Sequence, residues 1–218
     1  MNIIVGGTHG LGREIADILQ RNGQTMCVIG RSYKQQQHGN GLKIDLASAD
    51  DALKLAQYIR DLVAQELNFY WISGYGYTGD FSAQESPDTM AAVNFGHMLP
   101  AAQAVWQRLL TAAQVGRFVV VSSTTGIKPR THEAVYAGTK HAQVGFTRSL
   151  GLESERLGAK VKVSLFMPGG MQTPFWEGKR PADFDTFLDP AKVAQRIVER
   201  VEGQTGAYYE EVIERGSL

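Results

Sequence analysis

The chain has 218 residues, 43% hydrophobic and 20% charged, and its 22 basic and 22 acidic side chains cancel. That length and apolar fraction suit a single domain with a sizeable core, while a zero formal net charge gives no global field to attract nucleic acid or an anionic membrane. One cysteine, Cys27, excludes an internal disulfide framework, and no apolar run approaches the roughly 20 residues that cross a bilayer as a helix.

Short apolar runs of strand type alternate with longer helical patterns. NIIV (2–5) leads into LGREIADILQRN (11–22), and TMCVI (25–29) follows with Cys27 inside it. The polar stretch SYKQQQHGNG (32–41) is too short for a full crossover helix and predicts a turn or two at most. GLKI (41–44) precedes ADDALKLAQYIRDLVAQ (49–65), and NFYWIS (68–73) precedes TMAAVNFGHMLPAAQAVWQRLLTAA (89–113). RFVVVSS (117–123) leads to VYAGTKHAQVGFTRSLGLESERLG (135–158), KVKVSLFMP (160–168) to PAKVAQRIVERVEG (190–203), and AYYEEVIE (207–214) ends the series. Seven strands alternating with helices predict an α/β domain over residues 1–218, doubly wound, with a mostly parallel sheet covered on both faces.

Directly after the first strand, GGTHGLG places Gly6, Gly10 and Gly12 in the spacing G-x-x-x-G-x-G. Glycines between a strand and a helix allow a tight turn and close approach of the backbone to a pyrophosphate, whose charge the helix N-terminus favours. The fold is therefore expected to be Rossmann-like, with Thr8, His9 and Leu11 counted with the glycines as cofactor contacts. His9 is either a further contact near a phosphate or a turn residue facing solvent. The second strand ends VIGRS: Gly30 leaves the usual acidic position without a carboxylate, and Arg31 and Ser32 offer a guanidinium and a hydroxyl to a 2′-phosphate. NADP(H) is thus favoured over NAD(H), the alternative being that Arg31 only caps a strand. In KIDLAS, Asp45 is suited either to an adenine amino group, with Leu46 behind the ring, or to capping the helix that begins near Ser48.

VYAGTK puts Tyr136 and Lys140 one turn apart on one helix face, among small residues. With the glycine loop, this order of motifs resembles the short-chain dehydrogenase/reductase family from Asn2 to about Thr173. Tyr136 and Lys140 match its Y-x-x-x-K pair, Ser123, thirteen residues earlier, falls on its catalytic serine rather than Ser122, and Asn94 falls on its active-site asparagine. PGGMQT matches its P-G-x-x-x-T segment, so the resemblance implies that Pro168 and Gly169 shape a nicotinamide pocket and Thr173 contacts the cofactor. The family's N-A-G stretch is here Ile72, Ser73 and Gly74, which keeps the backbone slot at Gly74 but loses the asparagine amide that braces the sheet edge.

The resemblance implies hydride transfer between a nicotinamide and a carbonyl or alcohol, with Tyr136 as general acid or base. A free phenol titrates near 10, so Lys140 is expected to lower it together with the nicotinamide cation of the oxidised cofactor, and to hold ribose hydroxyls. Ser123 would donate to the substrate oxygen, and Asn94 would hold a water linking Lys140 to solvent. No metal is expected. After PGGMQT the loop of about 170–190 is short, and Phe175, Trp176, Phe184 and Phe187, with Tyr75 and Tyr77, either cover an apolar substrate or pack the loop. The resemblance suggests a homodimer or homotetramer packed through helices near 90–113 and 136–157. With no basic leader before MNIIVGG, the cytoplasm is the expected location. The competing functional class is a non-catalytic NADP(H) sensor or scaffold of the same fold.

Overall fold

A computed structural model describes residues 1–63, 66–178 and 180–217. Seven strands form one sheet: β1 (Asn2–Val5), β2 (Met26–Gly30), β3 (Gly41–Lys43), β4 (Asn68–Trp71), β5 (Gly116–Val121), β6 (Val161–Pro168) and β7 (Tyr208–Ile213). Their order is β3-β2-β1-β4-β5-β6-β7, and every neighbouring pair is parallel. The connections are α1 (Gly10–Arg21), the single turn α2 (Gln35–His38), α3 (Ala49–Asp61), α4 (Pro87–Asn94), α5 (Leu99–Thr111), α6 (Ala134–Arg156) and α7 (Pro190–Gly203). The expected helix over 49–65 ends at Asp61, and its last two positions, Ala64 and Gln65, lie outside the described residues.

Strand side chains alternate between two apolar layers, as the period of two demands. Ile3, Val5, Phe69, Trp71, Phe118 and Val120 point into the layer that holds Leu55 and Ile59 of α3 and Val105 of α5. Ile4, Val28, Tyr70, Val119 and Phe166 point to the other, against Ile15 and Leu19 of α1 and Ile197 of α7. With both faces covered, strands such as β5 are buried almost throughout and read as continuous apolar runs.

The stretch 89–113 is two helices, not the single one its pattern predicts. In a continuous helix Pro100 would offer no N–H to the Gly96 carbonyl, and its ring would clash with that carbonyl. The chain breaks at Phe95 (φ −143°) and makes a 3₁₀ turn, Gly96–Met98, before α5 starts. Met98 N–H bonds the carbonyl of Phe95, leaving the Asn94 carbonyl for a partner on α6.

Winding runs outward from β1 to β3 and then returns to β4 on β1's other side, so the direction reverses between β1 and β4. A crevice opens at the carboxyl ends of strands at such a point. Phe118, fully buried against Phe69, Trp106 and Phe146, anchors the layer beneath it. Phe118→Ala is expected to destabilise the fold by about 3–5 kcal/mol in urea unfolding, through lost burial and the cavity left behind.

Candidate active site

A cleft of about 770 Å³ lies at the carboxyl ends of the strands. Its first wall is the glycine loop. Gly6 has φ +91°, and a Cβ there would lie 2.6 Å from Ser73 N, while one on Gly12 would lie 2.2 Å from the Gly6 carbonyl oxygen. Neither position admits a side chain, and the loop is held tight between β4 and α1. Gly10, Leu11 and His9 line the cleft, and α1 begins there with its first N–H groups uncapped by any side chain. His9 is exposed and shares a hydrogen bond with Thr8 Oγ1 at 3.0 Å through Nδ1.

Arg31 and Ser32 stand exposed at the rim, and Arg31 enters no ion pair among the described residues. A Cβ on Gly30 would lie 2.9 Å from Thr8 Oγ1, so Thr8 fills the space that an acidic side chain there would need. Asp45 and Leu46 line the same end. Ser48 caps α3 by accepting from Asp51 N–H, and Asp45 instead accepts from Ala47 N–H at 3.0 Å. The helix-capping alternative for Asp45 is therefore corrected: Ser48 occupies that role.

On the far wall Gly169 lines the cleft, whereas Pro168 ends β6 buried opposite Ile213, one residue behind the surface. Pro168 is therefore a strand residue, not a wall of the pocket. Thr173 lines the cleft and meets Gly10, where an added Cβ would lie 3.2 Å from Thr173 Cβ. Ser73 Oγ, beside Gly6 in the first wall, is buried with no hydrogen-bond partner among the described residues.

Tyr136, Lys140 and Ser123 meet at the floor. Ser122 Oγ donates to the Lys140 carbonyl at 3.0 Å and ties β5 to α6, while Ser123 faces the Tyr136 phenol. Lys140 is 4% exposed, and its Nζ lies 5.7 Å from the centre of the Tyr136 ring. That ammonium donates to Gln143 Oε1 at 2.9 Å and to the Val121 carbonyl at 3.4 Å. The expectation that Lys140 pulls the phenol's pKa down is not met by these side chains alone. Burial pushes Tyr136 up to about 12, with the Ser123 hydrogen bond opposing it, and burial lowers Lys140 to about 7.

Asn94 does not line the cleft. Its amide donates to the Tyr75 carbonyl and to Thr139 Oγ1, and its Oδ1 accepts from Tyr75 N–H at 2.9 Å. That clamp fixes the Tyr75 backbone beside the turn at Gly74, where a Cβ would lie 3.2 Å from Asn94 Oδ1 and 3.6 Å from Lys140 Nζ.

Of the aromatic residues, Phe175, Trp176, Tyr75 and Tyr77 line the cleft, and the Phe175 ring lies 5.8 Å from that of Tyr136. Phe184 and Phe187 do not. Phe187 is buried beneath Trp176 and Arg215, with Phe184 against it, so these two brace the loop. Lys179, in the same loop, lies outside the described residues.

A residue that motif matching missed is Gln143, fully buried between Lys140 and Asn94. Its signal was present: Tyr136, Lys140, Gln143 and Thr147 put polar groups on the stripe of α6 that should be apolar if it only packed.

A short chain dehydrogenase family profile matches residues 1–183. The chain belongs to the short-chain dehydrogenase/reductase family. A candidate ketoacyl reductase of Streptomyces coelicolor is 26% identical, with 89% of this chain and 87% of that protein covered. The human 3-oxoacyl-[acyl-carrier-protein] reductase is 25% identical over 89% of this chain and 88% of its own. Among solved structures, a short chain dehydrogenase from Escherichia coli CFT073 complexed with NADPH has a TM-score of 0.81 at 22% identity, covering 99% of this chain and 95% of that one. One from Sphingobium yanoikuyae in complex with NADPH reaches a TM-score of 0.85 at 17% identity, covering 97% and 86%.

Among the described residues, this oxidoreductase has no helix long and apolar enough to cross a membrane. Its buried Asn94 side chain makes three hydrogen bonds, two to the Tyr75 backbone and one to Thr139 Oγ1. In this short-chain dehydrogenase Asn94→Ala is expected to cost about 2–4 kcal/mol in urea unfolding, because Tyr75 N–H and C=O lose their partners.

Proposed function

We propose that the protein is an NADP(H)-dependent reductase of a small-molecule carbonyl, with Tyr136 as proton donor. The observation that carries this reading is the convergence of the Tyr136 phenol, the Ser123 hydroxyl and the Lys140 ammonium on one floor of a cleft that runs on to the glycine loop and Arg31. The groove fits the dinucleotide: Gly6 and Gly12 leave backbone where side chains would stand, the Ser73 hydroxyl is an orphaned polar atom, and Arg31 has no carboxylate partner among the described residues. Arg31 and Ser32 would hold the 2′-phosphate that distinguishes NADP from NAD, Asp45 and Leu46 the adenine, and Thr173 with Gly169 the nicotinamide end.

Bound NADPH supplies the hydride; the chain supplies the proton and the orientation. Ser123 donates to the substrate oxygen and stabilises the negative charge that grows there. Tyr136 is protonated at neutral pH, the form that gives a proton to an alkoxide, so its resting state suits reduction. The ammonium of Lys140, one turn away, stabilises the phenolate that remains. Phe175 and Trp176 close the cleft beside Tyr136 and favour a carbonyl carried on an apolar body.

The outer face of α6 carries Gly138 and Gly145, with open space where a Cβ would stand, and Leu152, 68% exposed. A second copy of the chain is its proposed partner, and light scattering should read a mass of two or four chains, a single-chain mass refuting this. Cys27, buried beside Tyr58, suits the reducing cytoplasm. Export of the folded chain to an oxidising compartment would contradict that location.

Tyr136→Phe separates the enzyme from a sensor of the same fold. We expect carbonyl reduction to fall by about 10²- to 10⁴-fold with NADPH affinity nearly unchanged. A carbonyl reductase activity that survives the substitution would remove Tyr136 from the mechanism.

A further inference from the structure

The buried ammonium of Lys140 has an unusual partner. No carboxylate pairs with it among the described residues, and Tyr136 is the titratable group that faces it. Its shortest hydrogen bond, 2.9 Å, goes to the carboxamide oxygen of Gln143, one turn further along α6. The other end of that carboxamide is also committed, Nε2 donating to the main-chain carbonyl of Asn94 at 2.8 Å. An ammonium can only donate and a carbonyl can only accept, so the two contacts fix which way the amide points. Gln143 is fully buried and Lys140 is 4% exposed, so water competes little for either bond.

The carbonyl that anchors Gln143 exists because of the fold. The break between α4 and α5 leaves Asn94 O outside the helical ladder, and Asn94's own side chain is taken by Tyr75 and Thr139. The Gln143 side chain therefore joins the Asn94 main chain to the Lys140 ammonium.

We propose that Gln143 is a positioning residue for Lys140: its carboxamide oxygen fixes the ammonium beside Tyr136 and favours its charged form, and its nitrogen anchors that grip on the Asn94 carbonyl. The inference rests on reading Tyr136 and Lys140 as the working pair. A neutral acceptor has a specific advantage at this place. It stabilises the ammonium without cancelling its charge, leaving the full positive field to act on the phenol, whereas a carboxylate would neutralise that field.

The test reads Lys140 directly, without cofactor or substrate, so its outcome is independent of whether the protein reduces carbonyls. Lysines labelled with ¹³C at Cε are titrated by NMR, the Lys140 signal being assigned by its absence in Lys140→Met. In Gln143→Met, close in length but without a strong acceptor, the Lys140 midpoint is expected to fall by about one pH unit or more. In Gln143→Glu, which keeps an acceptor and adds a charge, it is expected to rise above the wild-type value. The second variant carries the test if the first does not fold. A Lys140 midpoint unchanged in the variants that fold, with only thermal stability lowered, would make Gln143 a packing residue and overturn the proposal.

Discussion

The floor of the cleft depends on holding one buried ammonium that has no carboxylate partner among the described residues. Desolvation disfavours the charged form of Lys140, and its pKa is brought down to about 7 by burial. Around it stand neutral dipoles from three parts of the chain: the Val121 carbonyl at the end of β5, the Gln143 carboxamide on α6, and behind it the Asn94 carbonyl at the end of α4. None of these groups neutralises the charge. The surrounding structure can be read as support for that arrangement, from the Ser122 bond that locks β5 to α6 to the helix break that frees Asn94.

A second cation, Arg31, which has no carboxylate partner among the described residues, stands at the opposite end of the same cleft, in solvent where it costs little. Between the two cations the sheet supplies the geometry. Its winding reverses between β1 and β4, and Gly6 brings the loop after β1 against the backbone after β4 so closely that no side chain fits. Two cations spaced along one groove, with uncapped helical N–H groups between them, form an electrostatic template for an elongated anion, the chemistry of a phosphorylated dinucleotide.

Much of this was legible in the residues. Alternation of apolar runs and helical patterns identified all seven strands within a few residues, because burial on both faces makes parallel strands continuous in hydrophobicity. Tyr136, Lys140, Ser123 and the glycine loop could be located because their spacing carries the chemistry. Other features depended on contacts that a linear pattern does not encode. Phe184 and Phe187 differ from Phe175 only in which way the loop turns them, and Pro168 differs from Gly169 by one residue of strand. The cap of α3 fell to Ser48 rather than Asp45 because the helix starts where its backbone geometry allows. Pro100 was visible, yet the apolar pattern ran through it and concealed the break. Tyr136 showed the limit of motif reasoning about charge: the spacing Y-x-x-x-K names the ammonium but not the depth at which both groups are buried, and burial decides the resting pKa values.

NADP(H) is proposed to complete the cleft and its two cations. Parallel titrations with NADPH and NADH, followed by energy transfer from tryptophan to the reduced nicotinamide, test it most directly, since Trp176 lines the cleft. NADPH is expected to bind at least about 10-fold more tightly than NADH, and Arg31→Ala to remove this preference while leaving NADH affinity in place. Binding of neither cofactor, or equal binding of both that Arg31→Ala does not change, would contradict that proposal.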